Sequence, residues 1–548
     1  MTNETYNLVR TKLLVVALLA VMLALVACSA SGATNLTRYQ IDADTQGVIE
    51  KVNNIYNTSI VSNDPNVNKA EYKAGFIQGK LQKDQIVAAR DNTWDMAFLT
   101  NPSHDYPKQI PPTKDELALA QKTLKFNWEY TLDYIRQQGN SDVGKNLRRL
   151  MYRLVGIYHG TLKDKPETLA FDDKWYPTFA DAEMVAGYET PTLTFIDVYF
   201  VNAFGDLFDV LPDNAPQVSM NMNRSSKCSA FVKKASDDIF LTHNSWYGFL
   251  DQSQSLTLWV NGDFMTVNIL APGFLGSGTD FGYNNKGILF NETTHRAMYT
   301  EPKANALWMF WRAALAEQFA ASLDDFFKYI SLEASGTYMN GYMLVDAKTK
   351  EIGYVEMSYK SFVFFKPDGK GGIAVTTKPE GLNKAYDKEL VQPDYLLGIN
   401  YPASQQIIDD LKAQDNRPAR KRQFLAQIGG VKDIESAKAL VTYTDPKNPL
   451  SIFGRWDLGY GETPAPKTVP DGSVDAKAIS LSMIKDVFNL KGVLDPSSPV
   501  KAFWMKFGTP YINGKPFIWS ESQWKGQKLR GVPDRVDGEW TLLNAYIR

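Results

Sequence analysis

Cysteine and histidine are nearly missing from this 548-residue chain: two of the first, Cys28 and Cys228, and four of the second, His104, His159, His243 and His295. The cysteines stand far apart and no two histidines are four residues apart, so no zinc-ligand spacing and no disulfide framework is present. No metal and no cofactor is expected. Charge of one sign is missing too. A formal net charge of -2, without any block of Lys and Arg, gives no grip on a phosphate backbone, and nucleic acid is not expected as a partner. No internal repeat is present either. What the chain does have is apolar material, 44% hydrophobic and 12% aromatic, enough for one large core or two to three smaller ones.

The longest apolar run, Leu13 to Ala27, follows Arg10 and Lys12 and is too short for the roughly 18–20 residues of a membrane span. It fits the apolar stretch of an export signal. It ends Leu25-Val26-Ala27-Cys28 and continues into Ser29, Ala30, Ser31 and Gly32. Small residues leading into a cysteine there resemble a bacterial lipobox, in which Cys28 would be lipidated and anchor the exported chain to the membrane. Residues 1–28 are therefore expected to be a signal peptide, and 29–70, polar and rich in Asn and Thr, a tether or loosely packed start.

Between 71 and 227 the pattern is mainly helical, with small residues at helical spacing in Ala74-Gly75 and Gly79, and apolar residues at three- and four-residue intervals from Asp115 to Arg136. The texture changes after Asn221. Short strands are expected at 229–233, 239–244, 256–260 and 264–270, with Asn261-Gly262 as a hairpin turn. An aromatic-rich helix is expected from Asn305 to Ile330, then strands at 342–345, 352–357, 362–365 and 373–377, a helical stretch from Gln405 to Gln427, and a Pro-rich surface loop around 463–472. Grouped strands with helices between them predict a layered α+β fold, helices over stacked antiparallel sheets.

With Cys28 accounted for by export, Cys228 stands as a lone thiol that has no partner for an internal disulfide. A lone cysteine is ordinarily a small buried hydrophobe. This one begins a strand, and the next strand of the expected hairpin brings His243 and Asn244 back towards it. A thiol needs a base or cation to become a thiolate, and acyl transfer needs donors for an oxyanion.

Cys228-Ser229-Ala230 followed by His243-Asn244-Ser245-Trp246 resembles the C-S-A…H-N-T-W pattern of the phospholipase B-like (laminin ancestor) family of N-terminal-nucleophile hydrolases. Similar blocks follow the family's order elsewhere: Ala74-Gly75 with Gly79; Gly205-Asp206-Leu207 with Asp209; Pro272-Gly273, Ser277 and Asp280-Phe281; Glu292-Thr293-Thr294; Ser335-Gly336-Thr337-Tyr338 with Asn340; and Arg455, Asp457-Leu458, Gly472, Asp475 and Lys477. The chain departs from the pattern at Gln78, Lys227, Thr279, Met339 and Trp456.

The resemblance implies a four-layer αββα sandwich, self-cleavage between Lys227 and Cys228, and a catalytic fragment 228–548 whose Cys228 is nucleophile and, through its freed amine, base. It implies that His243 and Asn244 orient the reacting groups, that Asn400 helps form the oxyanion hole, and that Thr293 and Arg422 contact substrate. The activity implied is release of fatty acyl chains from phospholipids, the two fragments remaining associated. An amidase acting on N-acylated lipids or peptides, and a lipid-binding surface lipoprotein without turnover, are the alternatives.

Overall fold

The computed structural model describes residues 36–98, 112–211, 228–248, 254–276, 281–295, 297–415, 418–445, 447, 451–454, 471–508 and, with short breaks, 517–548. Its first elements are strands: β1 (Thr37–Asp42), β2 (Thr45–Val52) and β3 (Ile55–Ser62). The expected tether is thus corrected from Thr37 onwards. Its Asn, Thr and Ser are buried by pairing: Thr45 Oγ1 lies 3.2 Å from Ser62 Oγ, and Asn57 Nδ2 donates to Glu50 Oε1 at 3.1 Å. Polar composition there marks a strand with internal partners, and Val48, Ile49, Ile55, Ile60 and Val61 supply its core.

Helices α1 (Val67–Leu81), α2 (Lys83–Phe98), α3 (Lys114–Gln138), α4 (Asp142–Leu162) and α5 (Phe195–Val210) follow. Their starts are written locally. Asn66 caps α1, Ser141 caps α4, and Thr113 with Glu116 and Thr194 with Asp197 form capping boxes on α3 and α5. Helices α1 and α4 touch backbone to backbone through two glycine pairs. A methyl on Gly75 or Gly79 would lie 2.2 Å from the carbonyl oxygen of Arg153 or 2.0 Å from that of Ile157, and one on Gly156 or Gly160 would lie 2.1 Å from that of Tyr72 or Phe76. Nothing larger than glycine fits there.

The second half begins with β4 (Cys228–Lys234), β5 (Ile239–Gly248), β6 (Gln254–Val260), β7 (Phe264–Leu270), β8 (Phe281–Asn284) and β9 (Ile288–Thr294). The turn between β6 and β7 carries Asn261 and Gly262 at φ of 52° and 68°, the left-handed pair that closes a two-residue hairpin. Where one helix is expected from Asn305 to Ile330 there are two, α6 (Met309–Phe319) and α7 (Leu323–Ile330). Asn284 Nδ2 takes the carbonyls of Glu317 and Ala320 at 2.9 and 3.0 Å, and Ser322 caps α7, so the ladder breaks at 320–322. Next come β10 (Asn340–Asp346), β11 (Glu351–Met357), β12 (Phe362–Pro367), β13 (Ile373–Lys378) and β14 (Tyr395–Gly398), then α8 (Gln405–Leu411), α9 (Pro418–Gln427) and α10 (Ile434–Val441). The chain closes with β15 (Asp471–Ser480), α11 (Leu481–Ile484), β16 (Val500–Phe507), the short pair β17 (Phe517–Ile518) and β18 (Arg535–Val536), and β19 (Thr541–Ala545).

Among the described residues the strands form an 11-stranded sheet, β1-β2-β3-β6-β7-β8-β9-β10-β11-β12-β13, and a six-stranded sheet, β14-β4-β5-β15-β16-β19. The larger sheet joins the two halves of the chain, because β3 pairs in parallel with β6 from Tyr56↔Gln254 to Ser62↔Val260. The sheets face each other through β9 and β10 against β4 and β5, and Asn291 Nδ2 crosses between them to the carbonyl of Thr242 at 2.8 Å. Helices α1, α6 and α7 pack on the larger sheet, α9 to α11 on the smaller. The architecture is α+β, two sheets with helices around them.

Candidate active site

Cys228 is the first residue of β4, its thiol buried and 2% exposed. Side chains alternate along a strand, and directly opposed residues of neighbouring strands share a face. The register sets Cys228 opposite Ser245 and Ala230 opposite His243 on β5, and then Ser245 opposite Asp475 and His243 opposite Lys477 on β15. Cys228, His243, Ser245, Asp475 and Lys477 therefore line one face. The alternate residues Ser229, Asn244 and Trp246 point the other way, to the helical layer. Ser229 Oγ and Trp246 Nε1 each donate to the carbonyl of Ile452 at 3.2 Å, and Asn244 Nδ2 reaches the carbonyl of Val441 in α10 at 2.8 Å.

That alternation corrects the expectation for Asn244. Its amide is fully used on backbone: Oδ1 accepts from Ser229 N at 3.1 Å, and Nδ2 also donates to Ile452 O at 3.0 Å. It fastens β4 and β5 to the helices behind them and lies on the opposite face from the thiol. His243 shares the thiol's face and is fully buried. Burial and then the nearby Lys477 ammonium hold its imidazole well below the usual histidine range, partly offset by the backbone of Glu292 in the facing sheet. A neutral imidazole can orient a neighbour by hydrogen bonding but does not bring a cation.

Asn400 sits just after β14 with φ at 62°, a left-handed conformation that asparagine tolerates better than most residues. Its Oδ1 accepts from Cys228 N at 2.8 Å, and its Nδ2 donates to the carbonyl of Thr294 at 2.7 Å. The group turned towards Cys228 is thus the acceptor, on the Cys228 nitrogen, while the amide donor expected for an oxyanion is directed to Thr294. Two backbone donors secure this loop, since Ala403 N and Ser404 N both reach the Glu356 carboxylate at 2.7 Å. Burial lifts that carboxyl to about 7. His295 Nε2 lies 3.9 Å from it, and burial pulls this imidazole down to about 3. Thr293 is buried on β9 against Gly398, where a methyl would come within 2.7 Å of its Cγ2.

The arginine that reaches Cys228 is Arg420, two residues before the expected Arg422. Arg420 is fully buried; Nη1 bonds the carbonyl of Cys228 and, at 2.6 Å, Ser229 Oγ, while Nη2 reaches Asn400 Oδ1 at 2.9 Å. Arg422, two positions on and about 200° round the helix, is exposed. The signal was available: only Arg420 falls four residues before the core residue Phe424, which packs on Phe231.

Two sequence blocks explain each other here. Asp206 Oδ1 caps α6 at Met309 N, 2.7 Å, and takes Thr337 Oγ1, while Asp209 Oδ2 accepts from Tyr338 N at 2.7 Å. Cys28, Lys227, Ser277, Asp280, Arg455 and Asp457 lie outside the described residues. Among the described residues no group of His, Cys, Asp and Glu could hold a metal, and no helix is long and apolar enough to cross a membrane.

Comparison with known proteins brings in the same family from another direction. The chain is 24% identical to phospholipase B-like 1 of Rattus norvegicus over 524 residues, 90% of this chain and 84% of the relative. It is 23% identical to phospholipase-B 81 of Drysdalia coronoides, over 78% of this chain and 76% of that one, and 21% identical to phospholipase B of Crotalus adamanteus, over 87% and 82%. The profile of the family described as Phospholipase B matches residues 57–543, and the chain belongs to that family.

Proposed function

We propose that this protein is a phospholipase B-like hydrolase of the N-terminal-nucleophile type, an αββα sandwich that cuts itself between Lys227 and Cys228 and then releases fatty acyl chains from phospholipids. The observation that carries the reading is the setting of Cys228: its nitrogen lies on Asn400 Oδ1 at 2.8 Å and its carbonyl on Arg420, at the buried start of a strand of the smaller sheet, on the face turned towards the larger. Fixing the backbone of one cysteine from both sides has little use for a packing residue. It has a use where that nitrogen becomes the base.

An α-amine has an unperturbed pKa of about 7.7–8.0, so near neutrality it can take the Sγ proton. The thiolate then attacks the ester carbonyl, the departing alcohol oxygen receives the proton from the ammonium, and the acyl chain stays on sulfur as a thioester. Water, deprotonated by the same amine, releases the fatty acid and restores the thiol. Before the cut that nitrogen is an amide and cannot be a base, which gives self-cleavage its purpose. Export, with lipid anchorage through Cys28 to a bacterial membrane, would bring the site to its substrate.

Terminal sequencing and mass analysis of the purified active protein test the reading. The expected larger fragment begins Cys-Ser-Ala-Phe, and Cys228→Ala stays full length and releases no fatty acid. Active wild-type protein with an intact bond before Cys228 would sink the mechanism. Turnover of N-acyl amides and not of phospholipids would replace the substrate.

A further inference from the structure

We infer that Lys477, acting through Ser245, stabilises Cys228 as a thiolate: a buried line Asp475–Lys477–Ser245 ends directly opposite the nucleophile. The inference rests on Cys228 being the nucleophile and adds positioning residues to it.

The line is built from wholly internal groups. Lys477 and Asp475 are 0% exposed and Ser245 is 3% exposed. Lys477 Nζ donates to Asp475 Oδ1 and to Ser245 Oγ, both at 2.7 Å, and Asp475 Oδ1 also accepts from Ser245 N at 3.0 Å. Burying an ammonium is costly unless it is paired and hydrogen-bonded, and replacing such a pair by apolar residues often stabilises a protein. A lysine here is thus a poor choice for stability alone.

Geometry shows what it reaches. Ser245 is the register partner of Cys228, and directly opposed Cβ atoms lie about 4.5–5.5 Å apart, which makes the two side chains nearest neighbours on one face of the sheet. Because Ser245 Oγ accepts from the ammonium, its own proton is the one it can offer to sulfur. Accepting a charge-assisted bond makes the hydroxyl a stronger donor, and a thiolate gains more from it than a thiol.

The other charged or titratable groups around the thiol play different parts. His243, register partner of Lys477, is kept neutral by burial and by that ammonium, so it does not compete for the thiol proton. Arg420 approaches from the helical layer and is spent on the Cys228 carbonyl, Ser229 and Asn400. Glu356 is anchored to the Ala403–Ser404 turn of the Asn400 loop, with His295 beside it.

The test reads the thiol and not turnover. Cys228 alkylation by iodoacetamide is followed against pH by mass spectrometry of its own peptide, in wild type, Ser245→Ala and Ser245→Thr. Ser245→Ala should slow alkylation near pH 7 about tenfold and move its midpoint up by about one unit, in protein that still melts cooperatively. Ser245→Thr, which keeps the hydroxyl, should stay near wild type. Lys477→Arg should retain more reactivity than the double variant Lys477→Met with Asp475→Asn, which avoids stranding a buried carboxylate. An unshifted midpoint in folded Ser245→Ala, or equal slowing by Ser245→Thr, overturns the inference and leaves the nucleophile reading intact. Wild-type hydrolysis by Cys228→Ala would instead overturn that reading.

Discussion

The α1–α4 seam and the β4–β5–β15 face are equally buried and built on opposite principles. At the seam the side chains have been removed, and four glycines let carbonyl oxygens sit where methyl groups would otherwise be. On the strand face side chains have been added, and His243, Ser245, Asp475 and Lys477 crowd beside a thiol. The seam tolerates no added atom because backbone cannot move aside. The strand face carries desolvated polar groups, which do little for stability unless each finds its partner. One region holds the shape, and the other holds the proposed chemistry at some cost to the fold.

The largest expected effect falls on the seam. Gly79→Ala places Cβ 2.0 Å from the Ile157 carbonyl oxygen and should cost about 4 kcal/mol or more, read as lost soluble yield or a collapsed urea midpoint. Gly429→Ala, with nothing within 4 Å of the new methyl, should lie within about 0.5 kcal/mol of wild type. Equal midpoints for the two would mean that the helices do not touch as described.

A smaller, site-confined effect separates the two arginines. Arg420→Met should lower fatty acid release about 100-fold or more, because it frees the Cys228 carbonyl and Asn400 together. Arg422→Met, on the exposed side of α9, should leave both turnover and melting near wild type. The reverse order would return the role to Arg422.

The smallest effect is a slope. Burial raises Glu356 to about 7 in the folded state, so the native protein binds its proton more tightly than the unfolded chain and this group's stabilising share is lost as pH rises towards 7. His295, pulled down to about 3, works the other way, its share being lost as pH falls below the ordinary histidine value of about 6.5. The two oppose each other between about pH 5 and 6.5. Glu356→Gln removes one of them and should steepen the acid loss of stability by up to about 1.4 kcal/mol per pH unit in urea titrations. An unchanged slope would show that Glu356 ionises as it does in water.

The strands, the hairpins and the placement of Cys228 at a strand start were legible in the sequence, because short apolar and β-branched runs bounded by turn residues, the Asn-Gly pair among them, are local signals. The family was legible in blocks such as Cys228-Ser229-Ala230 and Glu292-Thr293-Thr294. The strands at 37–62 were not, since what makes Thr45, Asn57 and Ser62 strand residues is a partner elsewhere. The direction of Asn244 followed from alternation once the hairpin register was known, and proximity in sequence to His243 concealed it. Arg420 was hidden by its neighbours: three basic residues in a row look alike until Phe424 fixes which side of the helix faces inward.

The parallel pairing of β3 with β6 would give the proposed cut before Cys228 a thermodynamic consequence. Adjacent strands of one sheet then belong to separate polypeptides, so unfolding releases two molecules where the precursor releases one. Melting of the precursor is independent of protein concentration, while that of the cut protein rises with it. On the proposed self-cleavage, folding would come first and cutting second, turning an ordinary refolding equilibrium into a step taken once in the life of each molecule.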